Sequence, residues 1–461
     1  MFDKEVYIKR REQLRKQVGN GIILLLGNEE SSMNYKDNWY PFRQDSSFLY
    51  FFGLDRPGLA AVIDSDSGNE LVFGDEATVD DIVWNGTQVS LKEEAFKTGV
   101  STVQPYSSLP VFLERVVASQ QKVHYLPPYR PENLLKLSTW LQVAPRAVKE
   151  NASVTLIKAI VAQRSIKSQL EVREIEKAVN ITVAMQLKAI KAAQEGMTEA
   201  QVAAMVQEVA ISENVQMAFS SILTVNGQTL HNHYSATVLQ KGLMVLCDCG
   251  AESPMHYAGD LTRTFPVGNT FSQRQREVYE IVLSAYEGAA SLLKPGILFK
   301  DVHTGACEKL VEGLKQIGLM RGDAKEAVEQ GAHALFFPCG LGHMLGLDTH
   351  DMEDLGEEYV GYTESLKKST QFGLKSLRLG RSLEPGFVLT VEPGLYFIPE
   401  LIDRWSAEKK YADFINYDKV ATYKDFGGIR IEEDYLINEE KGVVIGKPLP
   451  KTADAIEELR V

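Results

Sequence analysis

The part of the chain after residue 163 contains the same order of elements twice, two helices followed by strands. Residues 168–195 have apolar side chains at helical spacing and end before Gly196, a residue type that commonly follows a helix. Two later helices begin with a capping pattern, Thr or Ser followed three residues on by Gln. This repetition predicts two similar halves that pack a sheet under helices, an α+β fold. The predicted helices are 168–195, from Thr198, 272–293 and 299–318, and the predicted strands are 222–227, 243–250, 261–268, 387–392 and 427–437.

The first third of the chain has a different pattern, in which short apolar runs alternate with turns. With 461 residues the chain exceeds the usual size of one core, so two domains are expected. The polar stretch VAQRSIK (161–167) precedes the first long helix, and we place the boundary there, between residues 1–162 and 163–461. A smaller α/β domain is predicted for the first segment, with strands at 21–28, 48–54, 59–68 and 70–74.

Composition excludes some classes of function. The net charge of −13, from 49 basic and 62 acidic residues, leaves no basic excess for binding nucleic acid or an anionic membrane surface. The N-terminal stretch MFDKEVYIKRREQLRKQ is charged throughout, and no run approaches the roughly 18 apolar residues of a membrane span, so a cytoplasmic protein is expected. Four cysteines are too few for a disulfide framework, and Cys247 and Cys249 are predicted to pack as small apolar residues.

Carboxylates occur inside or at the ends of strongly apolar strand runs. Asp248 lies within LMVLCDCG, Glu392 ends FVLTVE, and Glu432 follows two isoleucines in GGIRIEEDYLI. Asp260, in YAGDLTRTFPV, is a fourth such acid. A single strand-end acid is more often solvent-facing or caps a turn, but several on one inner sheet face would be costly without a positive partner. Arg430 could neutralise one of them, and divalent cations could neutralise all.

The four acids and a nearby histidine would together form a donor set for metal ions. Four carboxylates would balance two divalent cations, and a histidine such as His343 would add a neutral nitrogen ligand. Oxygen-rich ligands with one histidine suit manganese, cobalt or iron better than a thiolate-type zinc site. Taken alone, a histidine in a segment such as GLGHMLG is more often a hydrogen-bonded core or turn residue than a metal ligand.

These motifs together resemble the "pita-bread" metallopeptidases, and most closely the aminopeptidase P and prolidase branch. The resemblance rests on Asp248 and Asp260, then CGLGHMLGLDTHD, LTVEPGLYF and GGIRIEED in that order. PFRQDSSFLYFFGL (41–54) resembles the N-terminal domain of that branch, and RSIKSQLEVREIEKA (164–178) resembles its junction with the catalytic domain. The resemblance implies a pita-bread catalytic domain that cleaves Xaa-Pro bonds with two metal ions, usually manganese. The implied metal ligands are Asp248, Asp260, His343, Glu392 and Glu432.

The resemblance also implies roles beside the metals. His231, in NGQTLH, and His350, in DTHD, match two substrate-side histidines, and His231 is preferred over His233 because it lies 17 residues before Asp248. Arg430 matches an arginine that orients an acidic ligand, and Tyr396 matches a tyrosine near the site. Glu392 would carry a proton from the attacking water to the leaving nitrogen.

Two departures from the family pattern stand out. Cys339 occupies a position where the family usually has histidine, which we expect to alter substrate positioning or rate but not metal binding. The spacing from Asp248 to Asp260 is one residue longer than the family pattern. An extra residue in the turn, near Ser253-Pro254, would absorb it, whereas one inside a strand would turn side chains to the other face.

The subtype is open between an Xaa-Pro dipeptidase (prolidase) and an aminopeptidase P, which removes the residue before proline from longer peptides. GLKSLRLGR (373–381) resembles the prolidase segment that binds the dipeptide's terminal carboxylate, with Arg378 at the arginine position, and we favour the dipeptidase. A lone arginine is also common on surfaces.

Some relatives have lost the metals and become binding proteins or a metal-free hydrolase, but they lack the ligand set. Relatives form dimers or tetramers, so a homodimer or homotetramer is expected.

Overall fold

The computed structural model describes residues 1–460 and divides the chain into two compact units. The first unit consists of Met1–Arg164 together with Asp354–Tyr359, and the second of residues 165–353 and 360–460.

The first unit is built on one mixed sheet of five strands in the order β4-β3-β2-β1-β5. The strands are β1 (Ile22–Leu26), β2 (Ala60–Asp64), β3 (Glu70–Phe73), β4 (Thr102–Gln104) and β5 (Val123–His124). β1, β2 and β3 are successively antiparallel, whereas β4 and β5 pair in parallel with their neighbours. The helices are α1 (Lys4–Val18), α2 (Ser46–Phe52), α3 (Val79–Asn85), α4 (Leu91–Lys97), α5 (Leu109–Ala118), α6 (Pro131–Trp140), α7 (Pro145–Val148) and α8 (Val154–Ser165).

One predicted strand of this unit is wrong. The run FLYFFGL at 48–54 lies mostly in α2, a helix that begins after Asp45, whose side chain accepts a hydrogen bond from the Phe48 amide. Gly53 ends the helix in the left-handed conformation. Every residue of α2 is buried, so the sequence shows an unbroken apolar run without the polar face that would have revealed helical periodicity.

In the described part of the chain, the second unit contains eight α-helices and eight strands. The helices are α9 (Gln169–Ala192), α10 (Glu199–Ser212), α11 (Gln273–Leu292), α12 (Phe299–Gln316), α13 (Ala324–Gln330), α15 (Pro399–Ala407), α16 (Tyr417–Val420) and α17 (Ala453–Glu458). The short helix α14 (Glu357–Val360) lies almost entirely in the Asp354–Tyr359 segment of the first unit. The strands are β6 (Ile222–Thr224), β7 (Met244–Cys249), β8 (Leu261–Pro266), β9 (Val388–Val391), β10 (Gly394–Tyr396), β11 (Gly428–Arg430), β12 (Glu433–Ile437) and β13 (Gly442–Val444).

The order helix pair, then strands, occurs twice in the second unit, and the α+β prediction is confirmed. α9 packs on α10, and α11 packs on α12. The predicted capping patterns are present, since Thr198 and Gln201 form a capping box for α10, and Ser272 and Gln275 do so for α11. Each box satisfies amide groups that the first helical turn leaves without partners, which is why these helices start where the local sequence indicates.

The strands of the second unit form three antiparallel groups, β6-β7-β8, β10-β11 and β13-β12-β9. The predicted strand at 427–437 is divided into β11 and β12, with Ile431 and Glu432 between them. At that break the Glu432 amide donates to the Thr262 carbonyl at 3.1 Å, which joins it to β8. Cys247 and Cys249 are fully buried, as predicted. Among the described residues no helix is both long and apolar enough to cross a membrane.

Candidate metal centre and active site

Four of the five predicted metal ligands lie on strands or beside strand ends of the second unit, and the fifth, His343, lies in a loop beside β9. Asp248 lies within β7, and Asp260 immediately precedes β8. Glu392 directly follows β9, and Glu432 occupies the break between β11 and β12. His343 lies in a loop held to β9 by two bonds between His343 and Thr390.

The hairpin that carries the two aspartates accommodates their long spacing without a break in register. Asp248 pairs with Thr262 across the β7–β8 ladder. The bend is confined to Ser253–Tyr257, where the Ser253 amide donates to the Tyr257 carbonyl at 2.7 Å. The longer connection is therefore taken up in the turn region, as predicted. In this arrangement Asp260 is buried beside Asp248, and burial together with the charge of Asp248 raises the pKa of Asp260.

His343 is held in an orientation suited to a metal ligand. Its Nδ1–H donates to the Met344 carbonyl at 3.1 Å, which leaves Nε2 as the unprotonated nitrogen of the neutral ring. Nε2 lies 3.5 Å from both Asp260 Oδ2 and Glu392 Oε1. Burial lowers the pKa of His343, which favours the neutral form that ligates metals.

Burial and the charges of neighbouring carboxylates raise the pKa values of three of these acids. Burial raises the pKa of Asp260 and of Glu432 well above the ordinary carboxyl range, and repulsion between the carboxylates raises both further. Burial also raises the pKa of Glu392 to about 7. Ligand atoms of Asp260, His343 and Glu432 all lie within 4.8 Å of one another.

Arg430 connects three elements of the site. Its guanidinium donates to the Tyr396 hydroxyl at 3.0 Å and to Thr262 Oγ1 at 3.1 Å, and its Nη2 donates to Asp248 Oδ2. Thr262 Oγ1 in turn donates to Glu432 Oε2 at 2.6 Å. The arginine therefore orients Asp248 directly and Glu432 through one hydroxyl, and a planar fork of fixed donors suits that task.

A second group of polar residues lies beside the acids. The ring of His350 is 4.4 Å from that of His343, and its Nδ1–H donates to Glu353 at 2.7 Å. Arg378 donates from Nε to the other oxygen of Glu353 at 3.3 Å. The pKa of His231 is lowered by burial and then by the charges of Arg430 and Arg378, so His231 belongs to the same group.

Cys339 lies against the acid–arginine network. Burial raises the pKa of its thiol to about 12, with a further contribution from the charge of Glu392. Its side chain also interacts with the Tyr396 hydroxyl. The family's histidine position therefore holds a neutral thiol here.

Three contributing residues were not found from the sequence. Asp434 is fully buried, and its Oδ2 accepts from the Asp260 amide at 2.9 Å. Thr262 links Arg430 to Glu432, and Glu353 holds His350 and Arg378. The run EED at 432–434 was a signal for Asp434, since alternate strand residues share a face and Asp434 lies two residues after Glu432.

The donor set fits divalent metal ions. Three buried carboxylates, Asp248, Asp260 and Glu432, and the partly buried Glu392 share this site with Arg430. Oδ1 of Asp248 and Oδ1 of Asp260 have no hydrogen-bond partner among residues 1–460. Buried oxygens of this kind are normally satisfied by a donor or an ion. Two divalent cations would supply the four positive charges that these acids lack.

Comparison with known proteins assigns the chain to a family. The model of metallopeptidase family M24 matches residues 173–439, and that of the aminopeptidase P N-terminal domain matches residues 7–125. Xaa-Pro dipeptidase of Homo sapiens is 31% identical over 461 aligned residues, covering 97% of this chain and 90% of that protein. A probable Xaa-Pro aminopeptidase of Fusarium vanettenii is 31% identical, covering 95% of this chain and 92% of that protein.

Solved structures agree with this assignment. A variant of Escherichia coli aminopeptidase P in complex with substrate superimposes with a TM-score of 0.81 at 26% identity, covering 100% of this chain and 98% of that chain. A zinc-substituted form of the same enzyme in complex with product gives a TM-score of 0.81 at 27% identity, with the same coverage.

The chain belongs to metallopeptidase family M24. It has the pita-bread fold of that family, and it is a hydrolase of the peptidase class. Within the family it carries the N-terminal domain named after aminopeptidase P, which confirms the resemblance drawn from the motifs.

Proposed function

We propose that this enzyme is an exopeptidase that hydrolyses Xaa-Pro bonds with two divalent metal ions, and that its preferred substrate is an Xaa-Pro dipeptide. The observation that carries the proposal is the cluster of the Asp260, Glu392 and Glu432 carboxylates around His343, with Asp260 and Glu392 each 3.5 Å from its Nε2. Arg378, which pairs with Glu353, supplies a positive charge near His343. The names of the relatives, dipeptidase and aminopeptidase, both support Xaa-Pro specificity.

The ions would be held by Asp248, Asp260, His343, Glu392 and Glu432, and manganese suits this oxygen-rich set with one imidazole. When bound, they would polarise the scissile carbonyl and activate the attacking water. Glu392 carries the water's proton to the proline nitrogen as that nitrogen leaves. His231 and His350 hold the substrate and stabilise negative charge on its carbonyl oxygen. Arg430 keeps Asp248 and Tyr396 in position.

The chemistry of proline supports the specificity. Proline has no N–H and a fixed φ, so a site shaped around its ring can reject ordinary peptide bonds. Its nitrogen leaves as a strongly basic amine, so it needs a proton, which Glu392 can supply after accepting it from the attacking water.

Two observations bear on the subtype. Arg378 bonds to Glu353, which also holds His350, so its charge is directed to the substrate side of the metal ligands. A carboxylate that directly follows proline, as in a dipeptide, would meet a cation there, which favours the dipeptidase. The aminopeptidase P N-terminal domain and the similarity to Escherichia coli aminopeptidase P favour the alternative, removal of the residue before proline from longer peptides.

Product analysis by mass spectrometry tests the proposal. Manganese-loaded enzyme is given an Xaa-Pro dipeptide and an Xaa-Pro-Yaa tripeptide in parallel, with His343→Ala as the inactive control. Cleavage of the dipeptide alone is expected. Release of free Xaa from the tripeptide would instead establish the aminopeptidase, and no cleavage of either by metal-loaded enzyme would refute Xaa-Pro specificity.

Replacing Arg378 by glutamine should raise KM for the dipeptide while leaving kcat within a few-fold. A hydrogen bond to a charged group contributes about 1.5–3 kcal/mol, which corresponds to a change of about 10–150-fold. Steady-state kinetics measure it. Arg404→Gln is the matched control, because Arg404 also pairs with a glutamate, Glu408, but on an exposed helix. An unchanged KM in Arg378→Gln would exclude Arg378 as the carboxylate-binding residue.

Replacing Arg430 by lysine should weaken Mn²⁺ binding by about 10–100-fold, the usual cost of losing a residue that orients metal ligands. Lysine keeps the charge but cannot bond to Asp248, Thr262 and Tyr396 in the plane that the guanidinium uses. Calorimetric titration with Mn²⁺ measures the effect, with Arg276→Lys as the control, because Arg276 is a partly exposed arginine that pairs with Asp454. Wild-type affinity in Arg430→Lys would show that the arginine does not orient the ligands.

The remaining expectations concern assembly and compartment. We propose a homodimer or homotetramer and a cytoplasmic location. The four cysteines, all free, support a reducing compartment.

A further inference from the structure

A second cluster of ligand-type side chains lies in the second unit and shares no residue with the carboxylate cluster. His303 and Cys307 are one helical turn apart on α12, and His333 lies in the 3₁₀ turn Ala332–Leu335. Their exposed fractions are 2%, 0% and 4%, respectively. Nitrogen and sulfur atoms from the three side chains all lie within 4.8 Å of one another.

Three of the four imidazole nitrogens in this cluster lack a hydrogen-bond partner among residues 1–460. Neither ring nitrogen of His333 has a hydrogen-bond partner among residues 1–460, and neither does Nδ1 of His303. The remaining nitrogen, His303 Nε2, faces Cys307 Sγ at 3.5 Å. The ring of Phe337 packs 5.7 Å from that of His303, so part of the surroundings is apolar. Buried imidazole nitrogens normally bond to a protein group, a water or an ion, so their convergence on a thiol requires an explanation.

The geometry matches a tetrahedral metal site. Zinc binds sulfur at about 2.3 Å and imidazole nitrogen at about 2.0–2.1 Å, which places neighbouring sulfur and nitrogen ligands about 3.6 Å apart in a tetrahedron. The observed separation of His303 Nε2 and Cys307 Sγ is 3.5 Å. Burial lowers the pKa of His303 to about 3 and that of His333 to about 4, so both rings are neutral. Burial raises the pKa of the Cys307 thiol, so binding of an ion would have to release the thiol proton.

We propose that His303, Cys307 and His333 form a zinc-binding site separate from the catalytic metal centre. One thiolate and two imidazoles are ligands that zinc prefers, whereas the catalytic cluster offers four carboxylates and one imidazole. With three protein ligands, one coordination position is left for water or another group.

The location of the site gives it a structural role. Cys307 and His303 belong to α12, whereas His333 precedes Phe336, whose carbonyl accepts from the Tyr396 amide at 2.8 Å. The chain then continues to His343. A bound ion would tie α12 to the start of this segment, so we expect zinc to stabilise the fold of the second unit rather than to take part in the reaction.

Cobalt absorption spectroscopy on the full chain tests the proposal. Cells are grown with Co²⁺, so that the ion is available while the chain folds. A thiolate ligand gives an intense charge-transfer band in the near ultraviolet, which carboxylate and imidazole ligands do not give. The band is expected in the wild-type enzyme. Cys307→Ser should abolish it and reduce the metal content, measured by mass spectrometry, by one ion per chain.

Cys247→Ser is the matched control, because Cys247 is also a fully buried free cysteine but lies outside the cluster, and this variant should retain the band. His333→Gln, which keeps the thiol, should also lose the ion and serves if Cys307→Ser does not fold. Absence of the band from wild-type enzyme, or its persistence in Cys307→Ser, would overturn the proposal.

Discussion

Glu392→Gln is expected to lower kcat for an Xaa-Pro substrate by about 10²–10⁴-fold, the usual contribution of a positioned general acid–base group. The glutamine amide keeps the shape of the side chain but cannot accept a proton from water and return it to the leaving nitrogen. The carboxylate lies 3.5 Å from His343 Nε2 and follows β9 directly, so the substitution acts at the centre of the ligand group. Steady-state kinetics with metal-loaded enzyme measure the loss.

Glu439→Gln makes the same chemical change at an exposed position of the same unit and should leave kcat unchanged. Metal content measured in parallel separates the two roles of Glu392. A variant that binds both ions but turns over slowly has lost proton transfer, whereas one that lacks an ion has lost a ligand. Glu392→Gln with kcat within about ten-fold of wild type would contradict the assigned acid–base role.

Lys167→Met should destabilise the enzyme by about 3–5 kcal/mol, because it removes one partner of a buried ion pair. Lys167 Nζ lies 2.8 Å from Asp351 Oδ2, and both side chains are 1% exposed. Asp351 follows His350, and its amide donates to the Met344 carbonyl at 2.9 Å. Losing the lysine leaves that carboxylate without its cation beside the histidine loop. Urea denaturation measures the change in the free energy of unfolding.

Lys309→Met is the matched control, since Lys309 pairs with Glu312 at 2.9 Å on an exposed helical face and such pairs contribute less than about 1 kcal/mol. The double variant Lys167→Met/Asp351→Leu should regain much of the lost stability, because it removes the buried charge together with its partner. Equal effects of Lys167→Met and Lys309→Met would show that the pair at Asp351 is not stabilising.

Helix starts were the most predictable feature of this fold. The capping residues Thr198 and Ser272 act on amides three residues away, so the information that sets these starts is contiguous in the sequence. The run at 48–54 was assigned wrongly for the opposite reason. Burial on all sides of α2 removed the polar residues that distinguish a helix from a strand.

The acids of the candidate site could be chosen from sequence because carboxylates in apolar runs are rare and costly. Their orientation could not, since it depends on bonds such as Arg430 to Tyr396 and Thr262 to Glu432, which join residues 34 and 170 positions apart. Glu353 was missed because an acid in a polar loop has no local feature that distinguishes it from a solvated one.

Capping, apolar periodicity and motif order are local properties, so they predicted the helix pairs, the candidate ligands and the family. The packed fold was needed to show which nitrogen of His343 faces the acids, that Arg378 and His350 share one carboxylate, and that His303 and Cys307 meet His333. These relations arise when segments far apart in the chain pack together, since side-chain distances and burial are properties of that packing alone.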